Sequence, residues 1–265
     1  VYVYCVGDGL SAELFGDLCG VGDVPVRLLV MGGLAAVVSE FAGEAVELSA
    51  GNVRAHNRVN ARVLARSTPL PFRFGTLAGE QRLAEYVAGN ESTLLDALKR
   101  VRGCVEMGVK VRRDAEKAKV KRQKAQEEDE EGGAERDAAA GVDVRKVSAG
   151  VVSGTAAGSG TASEGSGTAF LLAKRREILG DEASRRRAEE VAAWLASRVS
   201  DSVRESSLRV GPSESLVVRA AHLVERARLE EYRARVRELT DERADLHFLT
   251  SGPWPPYSFS HIERH

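Results

Sequence analysis

At 265 residues with 43% apolar content, the chain can bury one large core or two modest ones. Its 38 basic and 39 acidic residues leave a net charge of −1, which argues against a nucleic-acid binder, a class that normally needs a basic excess. Aromatic residues are sparse at 5%, so the core rests on Val, Leu and Ala, and any local cluster of rings stands out.

The opening VYVYCV is a β-rich run ended by the turn residues GDG. It carries neither Met nor a basic leader, so a short N-terminal piece is expected to precede it. VRLLV and LAAVVSE, joined across MGG, predict a hairpin whose glycines supply positive backbone angles. SAGNVRAHNRVNARVLARS reads as a helix capped by Ser49, with Val53, His56, Val63 and Leu64 along one side. Pro69 ends it, and LPFRFGTL alternates, with Leu70, Phe72 and Phe74 pointing one way and Arg73 the other. Helices are predicted over 80–88 and 92–102, the second with Leu94, Leu98 and Val101 on one stripe. CVEMGVKVRR alternates again, Val105, Met107, Val109 and Val111 facing in and Glu106, Lys110 and Arg112 facing out. Strands and helices intermixed in this way predict an α+β domain over 1–113.

Composition changes over 114–167. A charged run passes from basic to acidic and gives way to a Gly/Ser/Thr/Ala tract, neither with enough apolar surface to offset ordering, so a mostly disordered linker is expected. A second α+β domain is predicted over 168–251. A long helix carries Val191, Trp194, Leu195 and Val199, and SLRV and SLVVRAAHLV form two strands around GPSE. A charged helix with Leu229, Tyr232, Val236 and Leu239 inward and the strand LHFLT complete it. The order helix, strand, strand, helix, strand is most of a ferredoxin-like split motif that lacks an obvious first strand. Residues 252–265 form a Pro/aromatic tail.

Several motifs point to chemistry and do not sustain it. Gly7-x-Gly9-x-x-Ala12 after a strand has the form of a dinucleotide fingerprint, with Glu40 as a ribose acid. Gly16, Gly20, Gly22 and Pro25 leave no room for the helix that the pyrophosphate needs, so a nucleotide-binding enzyme using this turn is a remote alternative. Cys5, Cys19 and Cys104 are widely spaced, form no CxxC, and fit buried thiols in a reducing cytoplasm. His56 reads as a structural histidine; His222, His247, His261 and His265 form no metal-binding pair. No nucleophile has a base and orienter marked by spacing, so no catalytic residue, cofactor or metal site is assigned. The best apolar run, from Leu28, is interrupted by two glycines and falls short of the roughly 20 residues a bilayer crossing needs. Neither a membrane nor a nucleic-acid partner is expected, and a soluble cytoplasmic protein is.

Arg73 and Glu106, on the outward faces of two strands, can pair across a sheet if those strands are neighbours, or else share a binding face with Phe74 and Lys110.

Taken in order, VYVYCV, LPFRFGTL, VEMGVKV and the tail GPWPPYSF resemble the gas vesicle protein GvpL/GvpF family. AHNRVNARVL and GTAFLLAKRRE are similar to the family's first helix and the start of its second half, so the resemblance spans nearly the whole chain outside the linker. Phe72 stands where the family more often has an aliphatic residue, and the linker is unusually long. The resemblance implies a cytoplasmic, vesicle-associated accessory protein of gas vesicle assembly, non-enzymatic, that binds the apolar shell protein and other accessory proteins. The alternative is a minor structural component attached to the vesicle wall.

The tail has its own physical reading. Pro253, Pro255 and Pro256 limit the backbone, so ordering Trp254, Tyr257 and Phe259 costs less entropy. Each ring can bury roughly 150–250 Å². The tail is expected either to fold back and tie the two domains together or to form part of a partner-binding surface.

Overall fold

The computed structural model describes residues 1–113, 164–211 and 217–260. The linker expected before 164 and the turn GPSE lie outside the described residues.

Four strands make the first sheet: β1 (Tyr2–Asp8), β2 (Val26–Met31), β3 (Leu34–Ser39) and the short β4 (Leu70–Pro71), in the order β2-β3-β1-β4. All its pairs are antiparallel. The β2–β3 hairpin turns on Gly32, whose φ of 62° a residue with a Cβ rarely adopts. Between β1 and β2 the chain forms only two three-residue 3₁₀ turns, Ala12–Leu14 and Val21–Asp23, and both of β1's neighbours run antiparallel to it. The parallel crossover required by the glycine fingerprint is therefore not formed around β1.

Helices cover both faces of this sheet. The helix α1 (Ala50–Leu64) starts at Ser49, whose Oγ accepts from the Asn52 N–H at 3.2 Å, and lays Ala55, Val59 and Val63 against Tyr2, Tyr4, Cys5 and Val37. The helices α2 (Glu80–Gly89) and α3 (Glu91–Val101) lay Leu83, Val87, Leu94 and Leu98 against Val3, Val6, Ala36 and Val38. Two covered faces explain why every residue of β3 is buried, with no alternation to read. The Tyr4 hydroxyl accepts from the Val21 N–H and bonds Ser39 Oγ, and it sits where a Cβ on Gly20 would be, at 1.8 Å. Only a bare backbone fits there.

The second sheet contains β5 (Cys104–Arg113), β6 (Glu205–Gly211), β7 (Val217–Glu225) and β8 (Leu246–Trp254), in the order β6-β7-β5-β8, again with antiparallel pairs throughout. The helix α4 (Glu164–Val199) lies between β5 and β6 in the chain, and α5 (Leu229–Glu242) between β7 and β8. This βαββαβ sequence with its spatial order is the ferredoxin-like arrangement. The strand that seemed to be missing is β5, which the sequence reading grouped with the N-terminal domain ending at residue 113. Its alternation is correct; its partners, β7 and β8, lie more than a hundred residues away and leave no local signal. The helix α4 begins at Glu164, a few residues before the boundary expected at 168. One face of the sheet (Met107, Val109, Val111, Val218, Val224) packs on Val191, Leu195 and Val199 of α4 and on Tyr232, Val236 and Leu239 of α5.

LPFRFGTL differs from its expected strand. The regular strand ends at Pro71; the Phe72 N–H still donates to the Tyr4 carbonyl at 2.8 Å, Arg73 to Thr76 make a turn with the Thr76 N–H donating to the Arg73 carbonyl at 3.2 Å, and Leu77 rejoins β1 opposite Tyr2. Gly75 at φ 86° lets the chain reverse there.

The two sheets share a core. Cys104 of β5 and Leu223 of β7 belong to the same buried cluster as Val3, Leu94 and Val101. Polar ties reinforce it: Thr68 Oγ1 donates to the Cys104 carbonyl at 3.1 Å, and Arg226 reaches the Leu64 carbonyl.

Near its end β8 bulges against β5, and Gly252 there has φ 112°, with the Glu106 carbonyl 2.7 Å and the Met107 sulfur 2.9 Å from where a Cβ would stand. Gly252→Ala is expected to lower unfolding free energy by about 2 kcal/mol or more in urea titrations. Gly89→Ala, at a helical position with open space, is the control and should be neutral or stabilising by up to about 1 kcal/mol.

Candidate functional site

The segment after β8 lies in the seam between the two sheets. Pro255 and Pro256 are buried, and the chain turns tightly over them, with the Tyr257 N–H on the Pro255 carbonyl at 2.7 Å and the Phe259 N–H on the Pro256 carbonyl at 3.0 Å. Phe259 is 2% exposed and completes the core cluster shared by the sheets. Its carbonyl accepts from the Arg100 guanidinium. Between the two rings, Ser258 points the other way, donating its N–H to Glu106 Oε2 at 2.7 Å and its hydroxyl to Glu106 Oε1 at 2.9 Å.

This placement corrects the reading of Glu106 as an outward charge paired with Arg73. Glu106 is only 9% exposed, and it lies in the second sheet, whereas Arg73 lies in the turn after β4 of the first. A carboxylate so buried needs donors, and the tail supplies two of them.

Tyr257 enters the other half of the junction. Its hydroxyl lies 3.0 Å from His56 Nε2, while His56 Nδ1 lies 2.7 Å from the Tyr2 hydroxyl. The Gly75 N–H donates to Tyr2 Oη at 3.2 Å. The Asn60 amide nitrogen, which can only donate, lies 3.1 Å from Nε2, so Nε2 accepts from Asn60 and Tyr257 while the Nδ1–H donates to Tyr2. Phe74 stands edge-on to His56 with centroids 5.8 Å apart, and Tyr4 stacks on the other side at 5.7 Å. The histidine read as structural is thus the bridge between strand β1 and the tail. Spacing alone could not disclose this, because its three partners come from residues 2, 60 and 257.

The remaining candidates are not brought together with these. Trp254 ends β8 and remains 42% exposed, so only two of the three rings dock. Lys110, half-buried, lies further along β5. Arg73 is exposed at the rim of a cleft beside the tail. Cys5 and Cys104 are buried free thiols, and Cys19 is partly exposed. Among the described residues, no group of three or more His, Cys, Asp or Glu could hold a metal ion, and no helix is long and apolar enough to cross a membrane.

Burial sets the electrostatics here. The Tyr2 hydroxyl is pushed up to about 12 and that of Tyr257 is also raised, both mainly by burial. His56 is held down at about 4 by burial, which the Phe72 carbonyl offsets only in part. In the second core His222, bonded to the Tyr232 hydroxyl at 2.7 Å, is held at about 4 for the same reason. Both rings are therefore neutral in the folded protein near neutrality.

Because these folded-state values lie below the ordinary 6.5, the unfolded chain binds more protons between about pH 6.5 and about pH 4, and stability falls as pH drops through that window. Thermal unfolding from about pH 7.5 to about pH 4.5 should show a falling Tm, and His56→Gln should lose less over the same interval than the parent. Phe259→Ala should cost about 3–5 kcal/mol in chemical denaturation, whereas Trp254→Ala should cost about 1 kcal/mol or less.

With this geometry established, the comparisons with known proteins agree with one another. The profile of the family described as "Gas vesicle synthesis protein GvpL/GvpF" matches residues 1–261. The chain is 30% identical to gas vesicle protein F of Streptomyces sp. (strain CB03234), covering 97% of this chain and 98% of that protein. It is 27% identical to gas vesicle protein L of the same strain, over 98% and 92%. The crystal structure of GvpF from Anabaena sp. PCC7120 shares the fold at TM-score 0.69 and 17% identity, covering 100% of this chain and 97% of that one. GvpF from Microcystis aeruginosa does so at 0.68 and 18%, with 98% of each covered. A match running from the first strand to the docked tail leaves one conclusion: the chain belongs to the GvpL/GvpF family of gas vesicle proteins.

Proposed function

We propose that this protein is a non-enzymatic accessory factor of gas vesicle assembly that works in the cytoplasm by binding the vesicle shell protein and other accessory proteins. The observation that carries this reading is the extent of the family match, which takes in both sheets and the tail. A very apolar subunit awaiting polymerisation exposes strand edges and apolar surface that pair indiscriminately, and a folded partner that covers them keeps it competent.

The surface best suited to that task is the β8 edge of the second sheet. β8 is the last strand in the order β6-β7-β5-β8, so among the described residues its outer edge has no neighbouring strand. It carries two large exposed apolar side chains, Leu249 at 43% and Trp254 at 42%. An incoming strand would gain backbone hydrogen bonds from the edge and ring contact from Trp254. Tyr257, Phe259, Pro255 and Pro256 serve this surface indirectly, by holding the strand that presents it.

Co-expression with the shell protein followed by affinity capture tests the reading. The parent should retain soluble shell protein, and L249D/W254D should lose most of it while its Tm stays within a few degrees. Retention of the protein on vesicles after stringent washing, with no soluble complex, would instead identify a wall component.

A further inference from the structure

Where the tail leaves the seam, a cleft of about 620 Å³ opens between the turn after β4 and the face of the second sheet opposite α4 and α5. Its volume falls within the range of ordinary ligand sites. Three arginines line it, Arg73 from the first sheet's side and Arg209 and Arg219 from the second, and no acidic residue does. In a chain with 38 basic and 39 acidic residues such segregation is not what average composition gives.

Strand register makes the arrangement sharper. Arg209 on β6 stands directly opposite Arg219 on β7, and Arg219 stands directly opposite Lys110 on β5. Three cations thus form one row across three adjacent strands. Like charges facing each other across a ladder destabilise a sheet. Several arginines elsewhere on the surface are matched, Arg27 with Glu40 and Glu80, Arg204 with Glu225 and Arg228 with Glu231. Among the described residues no ion pair involves Arg73, Lys110, Arg209 or Arg219.

We propose that this cleft is a binding site for an acidic, extended peptide segment of a protein partner, with Arg73, Arg209 and Arg219 as its carboxylate receptors and Lys110 extending the row. The row crosses two inter-strand steps, roughly 10 Å, and same-side residues of an extended peptide recur every ~7 Å. Two carboxylates at alternate positions therefore fall within its reach, and guanidinium forks suit carboxylates geometrically. The cleft also offers the half-buried Phe72 and Tyr86 for an apolar side chain and the hydroxyls of Ser207 and Ser260 for peptide groups. A nucleic acid fits less well, because the cleft is short, half its lining is apolar, and the whole chain carries a net charge of −1. The inference deepens the binding role proposed above by naming the partner's chemistry, and its row adjoins the β8 edge, where Leu249 stands directly opposite Lys110.

The test uses the full chain and a fluorescein-labelled peptide of alternating Glu and Val, with alternating Gln and Val as its neutral counterpart, read by fluorescence anisotropy. Saturable binding of the Glu peptide is expected, weakened about 10-fold or more in R209Q/R219Q and in Arg73→Gln, and unchanged in Arg54→Gln on the exposed side of α1. Relief of the like-charge row should leave the Tm of R209Q/R219Q equal to or above the parent's, so loss of binding is not loss of fold. Equal affinity for the Gln peptide, or parental affinity in R209Q/R219Q, overturns the proposal. Tighter binding of a short oligodeoxythymidylate, lost in the same variants, overturns it in favour of a phosphate-binding site. Shell-protein capture is measured separately, so either reading can fail alone.

Discussion

A buried carboxylate that cannot be left without donors is the constraint around which this molecule is arranged. Glu106 sits in the middle of the second sheet at the end that faces the first, where water is largely excluded. The two donors of Ser258 answer it, and they arrive only if Tyr257 and Phe259 are already turned into the seam on either side. Polar and apolar requirements thus select the same backbone path. The apolar part supplies most of the stabilisation, since burying a Phe side chain contributes about 1.5–3 kcal/mol against about 0.5–1.5 kcal/mol net for an ordinary hydrogen bond. The carboxylate adds specificity, because this course of the tail brings it two donors.

Seen this way, the two sheets are less independent than their separate strand orders suggest. Each has its own helical cover, yet Cys104, Leu223 and Phe259 make the inner faces continuous. The His56 bridge does the same in polar terms, linking a hydroxyl on the first strand to one on the last described segment. The result is a continuous body that presents, among the described residues, an unpaired strand edge and beside it a basic row.

Local signals were read well. Ser49 as a cap, the MGG hairpin, the stripe Leu94–Leu98–Val101 and the inward set Val105, Met107, Val109 and Val111 all follow from short-range physics and are found as expected. What escaped was long-range. The alternation of CVEMGVKVRR shows a strand and cannot show which sheet it joins, and the glutamate in it looks like a solvated residue until the tail lies over it. The stretch after Pro71 looked like a strand because Phe72 and Phe74 alternate with Arg73, but Gly75 and Thr76 turn it back. The resemblance to the GvpL/GvpF family rested on several short stretches in order, which is why it survived these local errors.

The position of the clamp in the chain has a consequence for biogenesis. β5 is made more than a hundred residues before its two flanking strands and the serine that answers its glutamate. Since nascent chains organise from the N-terminal side onward, the first sheet must wait with one side of its core uncovered until Phe259 has emerged. A chaperone holding the unfinished chain, or a pause that delays release, would therefore act on the step at which the two halves lock.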